Sequence, residues 1–380
     1  MKALALVEAP DHVCCRYRIR AFEPTLNDSG WTLAIEGLAR GMVARLAQIL
    51  RAGRFDTVIL QRKLLAHWQF HELRRLARHL VFDFDDAVLY RDSFDPRGPH
   101  CPRRAARFAR TVRQADTVIA GNDFLADCAL RAGARAEQIR VIPTCVAPER
   151  YPLAQHRPER AGLELAWIGS ASTLQGLQQR RPLFDRLARE LPGLRMRVIS
   201  DRFPELGAMP IERVAWNEAT EAAELAKSDV GIAWMPDDLW SRGKCGLKVL
   251  QYQAAGLPVV ANPVGVHCEM IQPRLNGFLT ETDEQWVEAI RSLAQDAGLR
   301  RRMGREARAG LEVGYSVKAW AATFAAAVAA KPPEPASKRA STTPEATVRA
   351  SASRGHGGRG PSRRTIETAR PPRIKGDRDR

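Results

Sequence analysis

Three cations, Arg242, Lys244 and Lys248, fall within seven positions, at the head of the stretch KCGLKVLQYQAAGLPVVANPVG (residues 244–265). Leu247, Val249, Leu250, Tyr252 and Ala254 repeat at helical spacing, Ala255-Gly256 supply a stop, and Pro258-Val259-Val260-Ala261 read as a short buried parallel strand. The N-terminal end of such a helix carries a partial positive charge and unpaired backbone N–H groups. Backed by three cations, that end suits a diphosphate. The same three residues also fit a plain solvated basic loop, and both readings stand at this level.

Residues of this kind need a sheet beneath them. Short apolar runs at 2–7, 57–61, 80–84, 117–120 and 140–142 alternate with Arg- and Ala-rich stretches of helical spacing, such as 35–52 and 68–79. That alternation predicts a parallel sheet covered by helices. Residues 147–162, rich in proline and without periodicity, read as a linker. Beyond it the pattern repeats, with strands expected at 163–169, 194–200, 211–215, 229–234, 257–261 and 277–280 and helices at 174–191, 218–227, 245–255, 283–295 and 298–311.

The fold class is therefore α/β, with two Rossmann-like domains facing across a cleft, residues 1–155 and 156–315. A helix at 316–330 is expected to pack back on the first domain. Residues 331–380, rich in Pro, Ser, Gly and Arg, lack the apolar content to offset ordering entropy and are expected to be a disordered basic tail. Ligands of open parallel sheets collect at the carboxyl ends of the strands. Arg16 and Arg18 follow the first strand there, either as two cations suited to an anionic or lipid-phosphate acceptor or as part of a surface loop. Trp216, just after the strand 211–215, either borders a nucleobase or simply packs.

The 380 residues exceed what one core usually organises, which agrees with two domains. No apolar run approaches the ~18 residues of a membrane span, and MKALALVEAP reads as a first strand rather than a signal peptide, so the expected location is cytoplasmic. Seven scattered cysteines without C-x-x-C spacing argue for reduced thiols and against a disulfide frame or zinc site. His67 and His71 lie four apart on an expected helix with no third ligand placed, and read as a solvated face. The tail holds 13 Lys or Arg against 5 Asp or Glu, half of the net charge of +16. Without interleaved aromatics it predicts only weak, salt-sensitive attraction to nucleic acid.

Several motifs follow one another in a set order: CCRYRIRAFEPTL at 14–26, VILQR at 58–62, VFDFDDAVLY at 81–90, DTVIAGNDFLADCAL at 116–130, VIPTCV at 141–146, WIGSAST at 167–173, DVGIAWMPDDLWSRGKCGLKVLQYQAAGLPVV at 229–260 and NGFL at 276–279. The set resembles the GT-B glycosyltransferases, in particular the family-4-like retaining enzymes (glycosyl transferases group 1), over roughly residues 1–330. The resemblance implies transfer of a sugar from a nucleotide-diphosphate sugar to a glycan or lipid-linked acceptor, with retention, without metal or cofactor, in making cell-surface polysaccharide or lipopolysaccharide.

It implies Arg242 and Lys248 as the catalytic cations that stabilise the departing diphosphate. Gly169, Ser170, Trp216, Gly243, Lys244 and Gln251 would bind the donor, and Arg16 and Arg18 would face the acceptor. Members commonly carry two glutamates eight residues apart, and the matching positions here are Gly243 and Gln251. An amide still donates to and accepts from a ribose diol. Gly243 cannot replace a carboxylate, so sugar recognition moves elsewhere, to Asp237 or Asp238, or activity is weakened or lost. The basic pair after the glycine loop is also missing, since STLQGLQQRR has no cation before Arg180. Asp83-Phe84-Asp85-Asp86 offers the Asp-x-Asp pattern of metal-dependent glycosyltransferases but closes an acceptor-side strand, so hydrogen bonding to loop backbone is expected there.

Two alternatives remain: a non-catalytic GT-B protein that binds a sugar or nucleotide, and a sugar-nucleotide epimerase of the same plan. Arg103, Arg104, Arg107, Arg110 and Arg113, with the tail, suit peripheral contact with an anionic membrane at its inner face.

Overall fold

The computed structural model describes residues 1–156 and 162–329, and Met1–Ala330 form one compact unit. The first half runs β1 Lys2–Val7, α1 Val13–Arg18, α2 Glu23–Asp28, β2 Thr32–Gly37, α3 Met42–Ala52, β3 Thr57–Gln61, α4 His67–Leu76, β4 Leu80–Phe84, α5 Pro102–Gln114, β5 Thr117–Ala120, α6 Asp123–Arg131 and β6 Ile139–Val141. The second runs β7 Glu164–Ile168, α7 Ala171–Gln179, α8 Arg181–Glu190, β8 Arg195–Ser200, β9 Ile211–Ala215, α9 Glu221–Leu225, β10 Val230–Ala233, α10 Leu239–Arg242, α11 Leu247–Ala254, β11 Val259–Ala261, α12 His267–Met270 and β12 Gly277–Leu279. Helices α13 Asp283–Gln295, α14 Ala297–Gly314 and α15 Val317–Ala329 close the described chain.

Among the described residues each half holds a six-stranded sheet, ordered β2-β1-β3-β4-β5-β6 and β12-β11-β10-β7-β8-β9, with every pairing parallel. The fold is α/β with two Rossmann-like halves. Strands β3, β4, β5, β7 and β10 are buried along their whole length, which is why they appear in the sequence as mostly apolar runs. Helices α3 to α6 cover one face of the first sheet through Ile49, Phe70, Phe108 and Leu125. On the other face lie Phe22, Leu26 and the returning α15, whose Phe324 stacks on Phe22 at 4.3 Å. The carbonyl of Val328 accepts from Thr57 Oγ1 at 3.0 Å.

Several local expectations are corrected. The stretch 35–52 is not one helix: Thr32–Gly37 pairs with β1 from Lys2↔Thr32 to Val7↔Gly37, and the helix starts only at Met42. An edge strand is held by its neighbour's ladder, and only Leu33 of β2 is buried, so its own apolar pattern is faint. The run 174–191 splits at Arg180, because Pro182 in the first turn of α8 has no N–H to continue α7. Residues 245–246 stay outside α11 because Gly246 adopts a left-handed φ of 64°. The expected tail at 331–380 and part of the expected linker, 157–161, lie outside the described residues.

Candidate functional site

The carboxyl ends of β7 and β10 and the start of α11 meet at Lys248. Its ammonium stands 4.8 Å from the centre of the Trp167 ring. Gly169 follows directly after β7, and a Cβ there would come within 2.9 Å of Lys248 Cε and 2.8 Å of the Trp167 ring. The glycine thus lets the lysine stem lie against the backbone. Burial, reinforced by the nearby Lys244 charge, pushes the Lys248 pKa down to about 7. Lys248 has no hydrogen-bond or ion-pair partner among the described residues, so its charge is open to an anion. Burial also pushes His267 on α12 down to about 4; its Nδ1 bonds the Asn262 carbonyl at 2.9 Å and it stays neutral.

The backbone around Gly169 is less open to phosphate than expected. Gly169 N–H donates to the Ile199 carbonyl at 3.1 Å, and the next helix begins with Ala171 N–H on Asp201 Oδ1 at 2.8 Å. Ser170 shares a hydroxyl hydrogen bond with Ser172 at 2.9 Å. The contribution of Gly169 is therefore space rather than a donor.

The other two cations have partners of their own. Arg242 makes a two-pronged contact with Asp237 at 2.7 and 3.1 Å and holds that carboxyl below the usual carboxylate range. Both line an open cavity of about 240 Å³ together with Asn122, Phe124, Val264 and Glu269, so residues of both halves face it. Asp238 caps α10 by accepting from Ser241 N–H at 2.8 Å. Lys244 turns to the first half, pairing with Asp86 at 2.9 Å while its carbonyl accepts from Asn122.

Gly243 explains itself through packing. A Cβ there would sit 2.6 Å from Ala87 Cβ and 2.9 Å from the Ala87 nitrogen, so the two halves touch at this point and no side chain fits. Next to it Cys245 is buried in the core of the first half. Gly243→Ala is expected to cost about 1–3 kcal/mol in overpacking, read as a lowered denaturant midpoint; an unchanged midpoint would mean that the halves part there freely.

Arg16, Trp216 and Gln251, read separately in the sequence, join in one network around the buried Glu221, with Trp216 at its exposed rim. Its Oε1 meets Arg16 Nη1 at 2.7 Å and Tyr17 OH at 3.0 Å, and its Oε2 accepts from Trp216 Nε1 at 2.7 Å. Gln251 is buried, its Nε2 donating to Tyr17 OH at 3.2 Å, and Tyr17 also meets Tyr151 OH at 2.9 Å. The network ties α1 of the first half to α9 and α11 of the second. Glu221 lies in no motif, Tyr17 lies in the motif at 14–26 without a role of its own there, and their partners lie up to 234 residues away, so no local signal pairs them.

Arg18 requires a correction. It does not face the cleft as an acceptor cation: it is 1% exposed, and its guanidinium bonds Asp83 and the Ile142 carbonyl. The neighbouring carboxylates are likewise held by side chains rather than loop backbone. Arg62, at a left-handed φ of 56°, pairs with Asp85 at 3.4 Å and with Asp86. His67 and His71 lie exposed on α4.

Residues 232–310 match the family model described as glycosyl transferases group 1. No curated protein matches the chain by sequence. Among solved structures it is similar to a sucrose-phosphate synthase from Thermosynechococcus elongatus, at 16% identity over 85% of this chain and 96% of that one with a TM-score of 0.64. Anabaena HepE in complex with UDP and glucose superposes at 18% identity over 86% and 98% of the two chains, TM-score 0.62. The lipopolysaccharide outer core galactosyltransferase WaaB does so at 14% identity over 86% and 99%, TM-score 0.59. The chain therefore has the GT-B fold, and residues 232–310 of its second half are similar to the glycosyl transferases group 1 family.

Proposed function

We propose that the protein transfers a sugar, with retention and without a metal, from a nucleotide-diphosphate sugar to a glycan or lipid-linked acceptor in cell-surface polysaccharide or lipopolysaccharide synthesis. The carrying observation is Lys248: an ammonium without a carboxylate partner, set over Trp167 at the carboxyl edge of the second sheet, within the segment that matches the family. There it is placed to take the charge that grows on a leaving diphosphate. The 240 Å³ cavity beside Arg242 opens between the halves, where an acceptor hydroxyl reaches the donor. Arg242 joins Lys248 once a diphosphate competes with Asp237. Uridine is the first base to test, because HepE holds UDP and, in a further structure, UDP-glucose. Among the described residues no helix is long and apolar enough to cross a membrane, and we place the protein in the cytoplasm, in peripheral contact with the inner face of an anionic membrane.

One observation favours a second reading, a GT-B protein that binds its nucleotide without turnover. Where the resemblance implies a glutamate, this chain has Gly243 against Ala87, with no room for a carboxylate. A thermal-shift panel of UDP, GDP, ADP and their sugars on the full chain and on Lys248→Ala, followed by transfer to extracted lipid and glycan acceptors, separates the readings. A shift of several degrees confined to one base and lost in Lys248→Ala, with labelled sugar on an acceptor, is the expected result. A shift without turnover leaves the binding protein, and no shift with any nucleotide sinks both.

A further inference from the structure

Four of the large apolar side chains that stand out from the described surface lie on one helix. On α3, Val43 is 80% exposed, Met42 70%, Leu50 52% and Leu46 38%. Their spacing of i, i+1, i+4 and i+8 puts them on a single stripe, while Gln48, Ile49 and Ala52 of the same helix face the core. Trp68, 40% exposed, stands in the first turn of α4, the helix against which α3 packs.

The ground around this ridge is basic. The segments 40–54, 67–78 and 102–114, covering α3, α4 and α5, hold twelve arginines and one carboxylate, Glu72; Arg51, Arg74, Arg75 and Arg78 pair with Glu36, Asp116, Glu72 and Asp56, which leaves eight arginines without a carboxylate partner among the described residues. None of the five arginines of α5 has an acidic partner among the described residues; Arg104, Arg107 and Arg113 donate only to backbone carbonyls. Helices α3, α4 and α5 share one face of the first sheet, and each follows a parallel strand, so their first turns line the carboxyl edge on which the cleft opens.

We propose that this face docks on an anionic lipid surface, with Met42, Val43, Leu46 and Leu50 entering the interface and the arginines of α3 to α5 at the headgroups. The inference rests on the peripheral-membrane reading above and names the elements that make the contact. Charge selects the occupant. Apposing this face to a second copy would bring eight arginines without a carboxylate partner against eight, whereas an anionic leaflet neutralises them and accepts the apolar ridge as well. The docked edge then presents the cleft to a lipid-linked acceptor in the same leaflet.

The test is co-sedimentation of the full chain with vesicles of phosphatidylcholine alone or with about a third phosphatidylglycerol, at low and high salt. The arms are wild type, Leu46→Glu/Leu50→Glu, and a chain ending at 330. Binding to anionic vesicles that falls at least about tenfold in the double variant, whose unfolding midpoint stays at the wild-type value, is the expected result. Binding unchanged in the double variant but lost on tail deletion overturns the ridge and leaves the peripheral reading. No binding of wild type to anionic vesicles overturns both. A wild-type dimer that the double variant converts to monomer, without lipid binding, overturns the proposal in favour of a second copy.

Discussion

Arg18→Met is expected to destabilise the protein by about 3–5 kcal/mol, seen as a fall in the denaturant midpoint with the slope preserved. Arg18 and Asp83 are enclosed beneath the carboxyl edge of the first sheet, at 1% and 0% exposure. Burial opposes the Arg18 charge, but Asp83 outweighs it and holds the guanidinium above its ordinary value. The same burial raises the Asp83 carboxyl even with Arg18 beside it. Taking away the guanidinium leaves a buried carboxylate that must stay unpaired or bind a proton, and strips the Ile142 carbonyl of its donor. Adding Asp83→Asn to Arg18→Met removes the orphaned charge and should recover a good part of the loss. If the double variant is no more stable than Arg18→Met, the ion pair is not the origin of the effect.

On the proposed function, affinity for a nucleotide-diphosphate sugar should be greatest below about pH 7 and weaken by up to about tenfold per unit above it. Burial, and next the Lys244 charge, bring the Lys248 pKa from 10.5 down to about 7 in the free protein. A bound diphosphate favours the charged form, so above that pH binding must be accompanied by uptake of a proton. UDP-glucose suits the measurement because its diphosphate, esterified at both ends, does not titrate in this range. The free protein follows the opposite trend. Between about 7 and 10.5 the unfolded chain holds a proton on this lysine that the folded chain does not, so this group makes stability rise with pH across that window. Calorimetric titrations from about pH 6 to about 9 should show the trend in wild type and a flat profile in Lys248→Arg, whose charge does not titrate. A wild-type profile as flat as that of Lys248→Met would remove Lys248 from the diphosphate site.

Both substitutions act on residues whose surroundings the sequence reveals unequally. Lys248 lies one residue into a helix with a clear apolar stripe, a glycine stop and a buried strand after it, all within a few turns of chain, and that local pattern is enough to set it near a strand end. The alternation of apolar runs with helical stretches likewise places the buried strands at 57–61, 80–84 and 117–120 with the bounds observed. A strand buried on both faces is mostly apolar along its length, so the information is largely contiguous. The edge strand Thr32–Gly37 is the exception, because its place depends on β1 rather than on its own composition.

The sequence by itself determined the two parallel α/β halves and the helix that carries Lys248, since those depend on periodicity and on neighbours a few residues apart. Only the tertiary structure decided what the other site residues do. Whether Gly243 is a lost carboxylate or a contact point depends on Ala87. Whether Arg18 meets an acceptor or a core carboxylate depends on Asp83, and whether Gln251 meets a ribose or a tyrosine depends on Tyr17. Each of those partners sits on a separate element of the sheet or in the other half. A side chain's role follows from what burial brings against it, and burial is a property of the closed fold rather than of the chain around the residue.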